Sequence, residues 1–278
     1  MTRRIDAHQH FWRVDAPWHE WPREDLPAIH RDFLPDDLSP TLQACSIAGS
    51  VLVQSQPSDA DTDWMLALAE RTPSILGVVG WADVIAANAA ERIAALASHP
   101  KLKGLRPMLQ SLPPDWILQP EARPAIEAIV AHRLVFDALI RPLHLEAIGT
   151  LAERHPALSI VIDHGAKPDI AAGGFAGWAD ALSRVAERPN VACKLSGLVT
   201  EAGEGWSEAQ LEPFVRHILH VFGPDRVLWG SDWPVLLLCA GYEQWHDMAR
   251  ALVPPEHAGA VFGENAARIY GLDRQRER

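Results

Sequence analysis

What the chain has little of bounds it first. None of its 278 residues fall in a run of roughly 18 uninterrupted apolar side chains, the length a membrane span needs. The opening Met1-Thr2-Arg3-Arg4 puts charge where a secretory leader would need its apolar region, so the expectation is a cytoplasmic protein with no membrane partner. Cysteine is limited to Cys45, Cys193 and Cys239, far apart and without Cys-x-x-Cys spacing. That argues against a disulfide framework or a zinc finger and reads as buried free thiols. Positive charge is the minority sign, with 25 Lys and Arg against 36 Asp and Glu and a formal net charge of -11. The cations are dispersed, which argues against nucleic acid, because phosphate backbones are held by clustered Lys and Arg. Tyrosine falls to 2 while tryptophan reaches 11. Trp12, Trp81 and Trp233 lie at strand ends, where an indole either packs or lines a pocket.

What is present is a rhythm. Short apolar or β-branched runs read as strands at about 3–8, 49–55, 75–81, 102–106, 134–139, 159–164, 190–195 and 226–232. Amphipathic segments at about 36–46, 59–71, 86–98, 121–131, 143–154, 175–187 and 207–222 separate them, and 242–250 and 256–270 follow as outer helices. Asp59, Ser207 and the Pro142-Leu143 entry read as helix starts; Pro73, Pro100, Pro156 and Pro189 lie just beyond helix ends. Strands buried on both faces and alternating with helices specify a parallel sheet, and eight such units close into a (β/α)8 barrel. An open doubly wound sheet is the alternative, but no Gly-x-Gly-x-x-Gly turn follows the first strand. One domain over 1–278 is the economical reading, with 11–35 as a long Trp- and Pro-rich loop folded over the barrel mouth.

In such a barrel the C-terminal strand ends carry the site. Here they turn polar: His8 and His10, Gln54 and Gln56, Trp81 and Asp83, Arg106, Asp137 followed by His144, Asp163 and His164 followed by Lys167, Lys194 and Ser196, then Asp232 and Trp233. Spacing of i, i+2 on a strand sets His8 and His10 on one face. Two chemistries suit this set. His8, His10 and Asp232 can hold one divalent metal, zinc first, with His164 as a further ligand; or Asp232 acts alone as general base on a water held among histidines. Arg106 offers planar donors to a carboxylate or a developing oxyanion. Each residue has a plainer reading too: His164 satisfied by Asp163, Arg106 paired with Asp83 or Asp137, Asp232 as a cap, Lys194 stacked in the interior against Asp137, and His144 capping or facing solvent.

The residues Ile5-Asp-Ala-His-Gln-His-Phe-Trp12, Val161-Ile-Asp-His-Gly-Ala-Lys-Pro168 and Gly230-Ser-Asp-Trp-Pro234 resemble the amidohydrolase superfamily. More narrowly, the match over residues 5 to about 271 is similar to its metal-dependent hydrolase/lactonase group. The resemblance implies that Asp232 activates water, that His8, His10 and His164 surround the reacting carbonyl with or without metal, and that Arg106 contacts substrate. Arg106 stands where binuclear members carry a carboxylated lysine, which argues against a two-metal centre. The expected reaction is hydrolysis of a small-molecule lactone, a sugar-acid lactone such as fuconolactone or rhamnonolactone. Gln54, Trp81, His30, His144 and Trp233 join Arg106 as candidate substrate-binding residues. The alternatives are a metal-dependent decarboxylase of the same superfamily and a catalytically silent ligand-binding barrel.

Overall fold

The structure, a computed structural model, describes residues 3–273; residues 1, 2 and 274–278 of the expected 1–278 domain lie outside the described residues. The eight apolar runs become strands β1 (Ile5–Gln9), β2 (Gly49–Val53), β3 (Ile75–Gly80), β4 (Leu102–Leu105), β5 (Val135–Ala138), β6 (Ser159–Ile162), β7 (Val191–Leu195) and β8 (Val227–Trp229). They pair in parallel in chain order. Past β8 the chain returns to β1, where Asp232 N donates to His8 O at 2.8 Å and His10 N donates to Trp233 O at 2.7 Å. These bonds bring the last strand back to the first, and the fold is the expected (β/α)8 barrel.

Helices α1 (Pro35–Ala44), α2 (Asp59–Arg71), α3 (Ala89–Ala97), α4 (Arg123–Ala131), α5 (Leu145–Arg154), α6 (Ala176–Ala186), α7 (Leu198–Ala202), α8 (Glu208–Phe222), α9 (Tyr242–Leu252) and α10 (Asn265–Ile269) surround it. Two expectations are corrected. The cap of α2 is Ser58, whose Oγ accepts from Ala60 N at 3.2 Å; Asp59 sits one residue further in, where its charge favours the helix N-terminus instead. The expected helix over 256–270 is helical but not uniformly α, with a 3-10 turn at Pro255–His257 and a π-turn over Ala260–Glu264 before α10. Val261, Phe262 and Gly263 are all buried along that π-turn. Ser207 caps α8 as expected, with its N–H donating to Gln210 Oε1 at 2.9 Å.

Side chains alternate along each strand, so one set faces the helices and the other the barrel axis. Leu52, Val78, Phe136, Ile162, Cys193 and Trp229 join the large core under the helices. Val51, Val79, Val135, Val161, Ala192 and Leu228 form a second cluster inside the barrel, closed from below by Ala266 and Tyr270. Two residues further along the strands, the same parity brings Asp137, Asp163 and Lys194 to the axis, all fully buried. The barrel therefore has an apolar floor beneath a charged layer.

The segment 11–35 is pinned at both ends by an antiparallel bridge, with Trp12 N donating to Phe33 O at 3.1 Å and Phe33 N to Trp12 O at 3.0 Å. A buried amide fastens its middle: Gln56 Oε1 accepts from Glu20 N at 2.8 Å and from Trp21 N at 3.2 Å, and Gln56 Nε2 donates to Trp21 O at 2.5 Å. Cys45 and Cys193 are buried thiols and Cys239 is half-buried. No helix among the described residues is long and apolar enough to cross a membrane.

Candidate active site

A β-bulge sets the first two histidines. Asp6 pairs with Ser50 but Gln9 pairs with Leu52, so β1 carries one residue more than β2 across this interval. Ile5 and Ala7 face the axis; the extra residue resets the alternation, and His8 and His10 then face it too. A bulge leaves a backbone N–H unpaired, and here the outward Asp6 carboxylate answers it. Its Oδ1 accepts from His8 N at 3.1 Å and from Ser231 N at 2.9 Å, while Tyr242 OH donates to Oδ2 at 3.0 Å. Asp6 thus ties the His8 backbone to the chain after β8.

Two left-handed residues supply the other side. Strict alternation would send His164 outward after inward Asp163, but His164 has φ +54° and its ring comes back over the barrel mouth. Asp232 has φ +60°, in a region that Asp tolerates better than most residues. His164 Nδ1 meets Ser196 Oγ at 2.9 Å. The space its ring occupies depends on Gly197, itself at φ +63°: a Cβ there would lie 2.5 Å from His164 Nδ1.

These residues converge. His10 Nε2 is 3.2 Å from His8 Nε2 and 3.2 Å from Asp232 Oδ1, His8 Nε2 is 3.6 Å from the same oxygen, and His164 Nε2 is 3.9 Å from it. Burial, reinforced by the charge of Lys194, pushes His8 well below its usual range, and burial lowers His164 to about 4. Both imidazoles are therefore neutral at pH 7. Burial pushes Asp232 up, but the surrounding histidines, His164 and His10 foremost, outweigh it and hold the carboxylate below the ordinary range. The centre is a buried anion among imidazoles.

The donor spacing fits a small divalent ion. Zinc at 2.0–2.1 Å from tetrahedral ligands sets neighbouring ligand atoms about 3.3 Å apart, and His8 Nε2, His10 Nε2 and Asp232 Oδ1 lie 3.2 to 3.6 Å apart. His10 Nδ1 is 2.8 Å from Val53 O, a partner that would hold the proton on Nδ1 and turn the Nε2 lone pair inward when an ion is bound, as in a metal-ligating histidine.

A cavity of about 590 Å³ opens above, lined by His10, His164, Asp232, Arg106 and Trp81, by Trp21 of the 11–35 loop, and by residues the sequence did not single out for it, Glu20, Met108, Trp116 and Gln110. Arg106 is only 3% exposed. Its guanidinium donates to Gln54 O and lies 3.4 Å from Asp163 Oδ2, which is its ion-pair partner in place of Asp83 or Asp137. Gln54 returns a bond from Nε2 to Arg106 O at 2.8 Å and stands behind the cavity wall. Three further expected lining residues are elsewhere. His144 is buried against backbone, with Nδ1 at Arg141 and Nε2 3.1 Å from Leu112 O. Trp233 packs edge-on to Phe33 and Phe11, and His30 stands beside His19. For His144 and Trp233 the partners Leu112 and Phe33 are distant in sequence.

Asp61 supports the rim. Its Oδ2 accepts from Ser55 N and Gln56 N, each at 3.3 Å, and burial against these long bonds pushes the carboxyl up to about 6. A carboxyl raised from 3.8 contributes stability that is fully present below pH 3.8 and is lost as pH rises through about 6. Asp61→Asn keeps an acceptor for Ser55 N and Gln56 N, gives up the acceptor that the Trp18 side chain also uses, and removes the ionisation. Urea unfolding should show the variant level with wild type near pH 4 and more stable by about 2–3 kcal/mol above pH 7. A constant difference across that range would contradict this assignment.

A family model described as amidohydrolase matches residues 5–272. The chain belongs to that family. This amidohydrolase is 46% identical to the L-fucono-1,5-lactonase of Burkholderia ambifaria over 282 residues, covering 99% of this chain and 97% of that one. It is 36% identical to an L-fucono-1,5-lactonase of Burkholderia multivorans, over 97% and 96% of the two chains. A crystal structure of an amidohydrolase from Burkholderia multivorans with bound zinc superposes with a TM-score of 0.91 at 35% identity, over 97% of this chain and 99% of that one.

Proposed function

We propose that the protein hydrolyses the ring ester of a neutral sugar-acid lactone, giving the open hydroxy acid. The observation that carries this reading is the Asp232 carboxylate held among His8, His10 and His164 at the base of a cavity with no surplus positive charge. Its two cations are both paired, Arg106 with Asp163 and Lys167 with Glu201 at 2.9 Å, while Glu20, Asp83 and Asp232 also line it. A polyol lactone suits such a space. Trp81 and Trp21 offer apolar faces, and Glu20, Gln110 and Asp83 offer hydrogen bonds to hydroxyls. The full-length likeness to two L-fucono-1,5-lactonases supports a fucono-type 1,5-lactone as substrate.

In the reaction, Asp232 takes a proton from water as the oxygen of that water bonds to the lactone carbonyl carbon. Charge moves to the carbonyl oxygen, where imidazole N–H groups and Arg106 meet it. Collapse breaks the bond between the carbonyl carbon and the ring oxygen, and the ring oxygen takes the proton back from Asp232. His8, His10 and Asp232 are the residues that would hold a divalent ion, zinc foremost; bound there, it would polarise the carbonyl and acidify water. The test is acid release, followed with a pH indicator, from neutral aldono-1,4- and 1,5-lactones, corrected for spontaneous opening. Turnover of a 1,5-lactone is expected; no acid from any of them would overturn the reading.

A further inference from the structure

Beneath the site lies a charged cluster that hydrolysis does not explain. Lys194 Nζ is 2.5 Å from Asp137 Oδ2, 2.9 Å from Asp163 Oδ1 and 3.1 Å from His8 Nδ1, and all four side chains are fully buried. Tyr270 OH, rising from the barrel floor, donates to Asp137 at 2.9 Å. Apolar residues of similar volume would fill this space at lower cost, since each buried ion loses several kcal/mol of hydration. What apolar residues cannot do is direct a proton on His8.

Lysine only donates. Its 3.1 Å hydrogen bond to His8 therefore makes Nδ1 the acceptor, and a neutral imidazole then carries its one proton on Nε2. That nitrogen faces the reaction centre, 3.2 Å from His10 Nε2 and 3.6 Å from Asp232 Oδ1. A competing acceptor sits alongside: Asp163 Oδ1 is 3.3 Å from His8 Nδ1. Were the Nδ1 proton given to Asp163, Nε2 would turn a lone pair to the site and could ligate a metal ion. Lys194 and Asp163 thus pull the same imidazole toward opposite tautomers.

We infer that Lys194 is a positioning residue that keeps the His8 proton on Nε2, making His8 an N–H donor to the lactone carbonyl oxygen and a weak ligand for a divalent ion. The role in catalysis rests on the lactonase reading above; the tautomer and the ion affinity do not. The experiment uses full-length protein labelled with 15N-histidine, the His8 signals being assigned by their loss in His8→Asn. In ion-free wild type the His8 nitrogen shifts should report Nε2–H. In Lys194→Met they should report Nδ1–H, and zinc affinity measured by equilibrium dialysis should tighten by roughly 10-fold or more. Ion-free kcat should fall by roughly 10²-fold with KM little changed, and Lys194→Arg should restore the tautomer. Since Lys194→Met strands two buried carboxylates, Lys194→Met/Asp137→Asn serves if the single variant does not fold. An Nδ1–H signal in wild type, or unchanged zinc affinity in a folded variant, overturns the inference. Wild type that opens no lactone overturns the proposed function instead, and leaves the tautomer and dialysis readouts standing.

Discussion

Asp232→Asn is expected to lower kcat/KM for lactone opening by roughly 10³-fold, within the range that loss of a general base produces. The change is chosen for what it preserves. Asn tolerates the left-handed backbone at φ +60° as well as Asp does, so the turn after β8 has no reason to move. The amide keeps the size of the carboxyl and can still meet His10, 3.2 Å away. What it loses is the negative charge and the capacity to take a proton from water. The loss should therefore fall on kcat, with KM changed little and the urea midpoint close to that of wild type. Full activity in a folded Asp232→Asn protein would remove Asp232 from the reaction.

The second large effect comes from a residue that touches no substrate. Gly197→Ala would set a methyl 2.5 Å from His164 Nδ1 and 2.7 Å from its Cγ, at a backbone φ of +63°. The left-handed region costs a non-glycine residue roughly 1–2 kcal/mol, and the imidazole must shift to relieve the overlap. Its Ser196 bond at 2.9 Å would be stretched with it. Displacing a reacting group by about 1 Å costs on the order of 10² in rate. The variant should thus fold with a modestly lowered urea midpoint and lose about two orders of magnitude in kcat. Activity equal to wild type would mean that the position of the His164 ring does not matter to the reaction.

The barrel was readable because its strands are short, apolar and regularly spaced, and a parallel sheet buried on both faces leaves little else for such runs to become. The direction in which strand ends turn polar was readable for the same reason. Finer placement was not. His8 and His10 share a face as the i, i+2 spacing suggests, but they face the axis only because a bulge follows Ala7, and no residue in Ile5–His10 announces one. Asp163 and His164 are neighbours, so alternation allows only one of them inside; the left-handed turn that admits both is not encoded by a glycine at either position. Lys194 meets Asp137 in the interior as expected, yet its contact with His8 crosses 186 residues of chain. His144 and Trp233 illustrate the reverse, since backbone and ring partners elsewhere in the chain claim side chains that their position in sequence assigns to the cavity.

In the proposed reaction Asp232 delivers water to a lactone that carries no charge of its own. Glu20, Asp83 and Asp232 line the cavity, and its two cations are already paired. A further negative charge about 8 Å from any of these carboxylates would cost about 2 kcal/mol at an effective dielectric of 20. The measurement that tests this most directly is kcat/KM on one preparation for two lactones of equal ring size, a neutral aldono-1,5-lactone and a dicarboxylated lactone, each followed by acid release. The neutral lactone should be preferred by roughly 10²-fold or more; equal rates, or a preference for the dicarboxylated ring, would contradict the account.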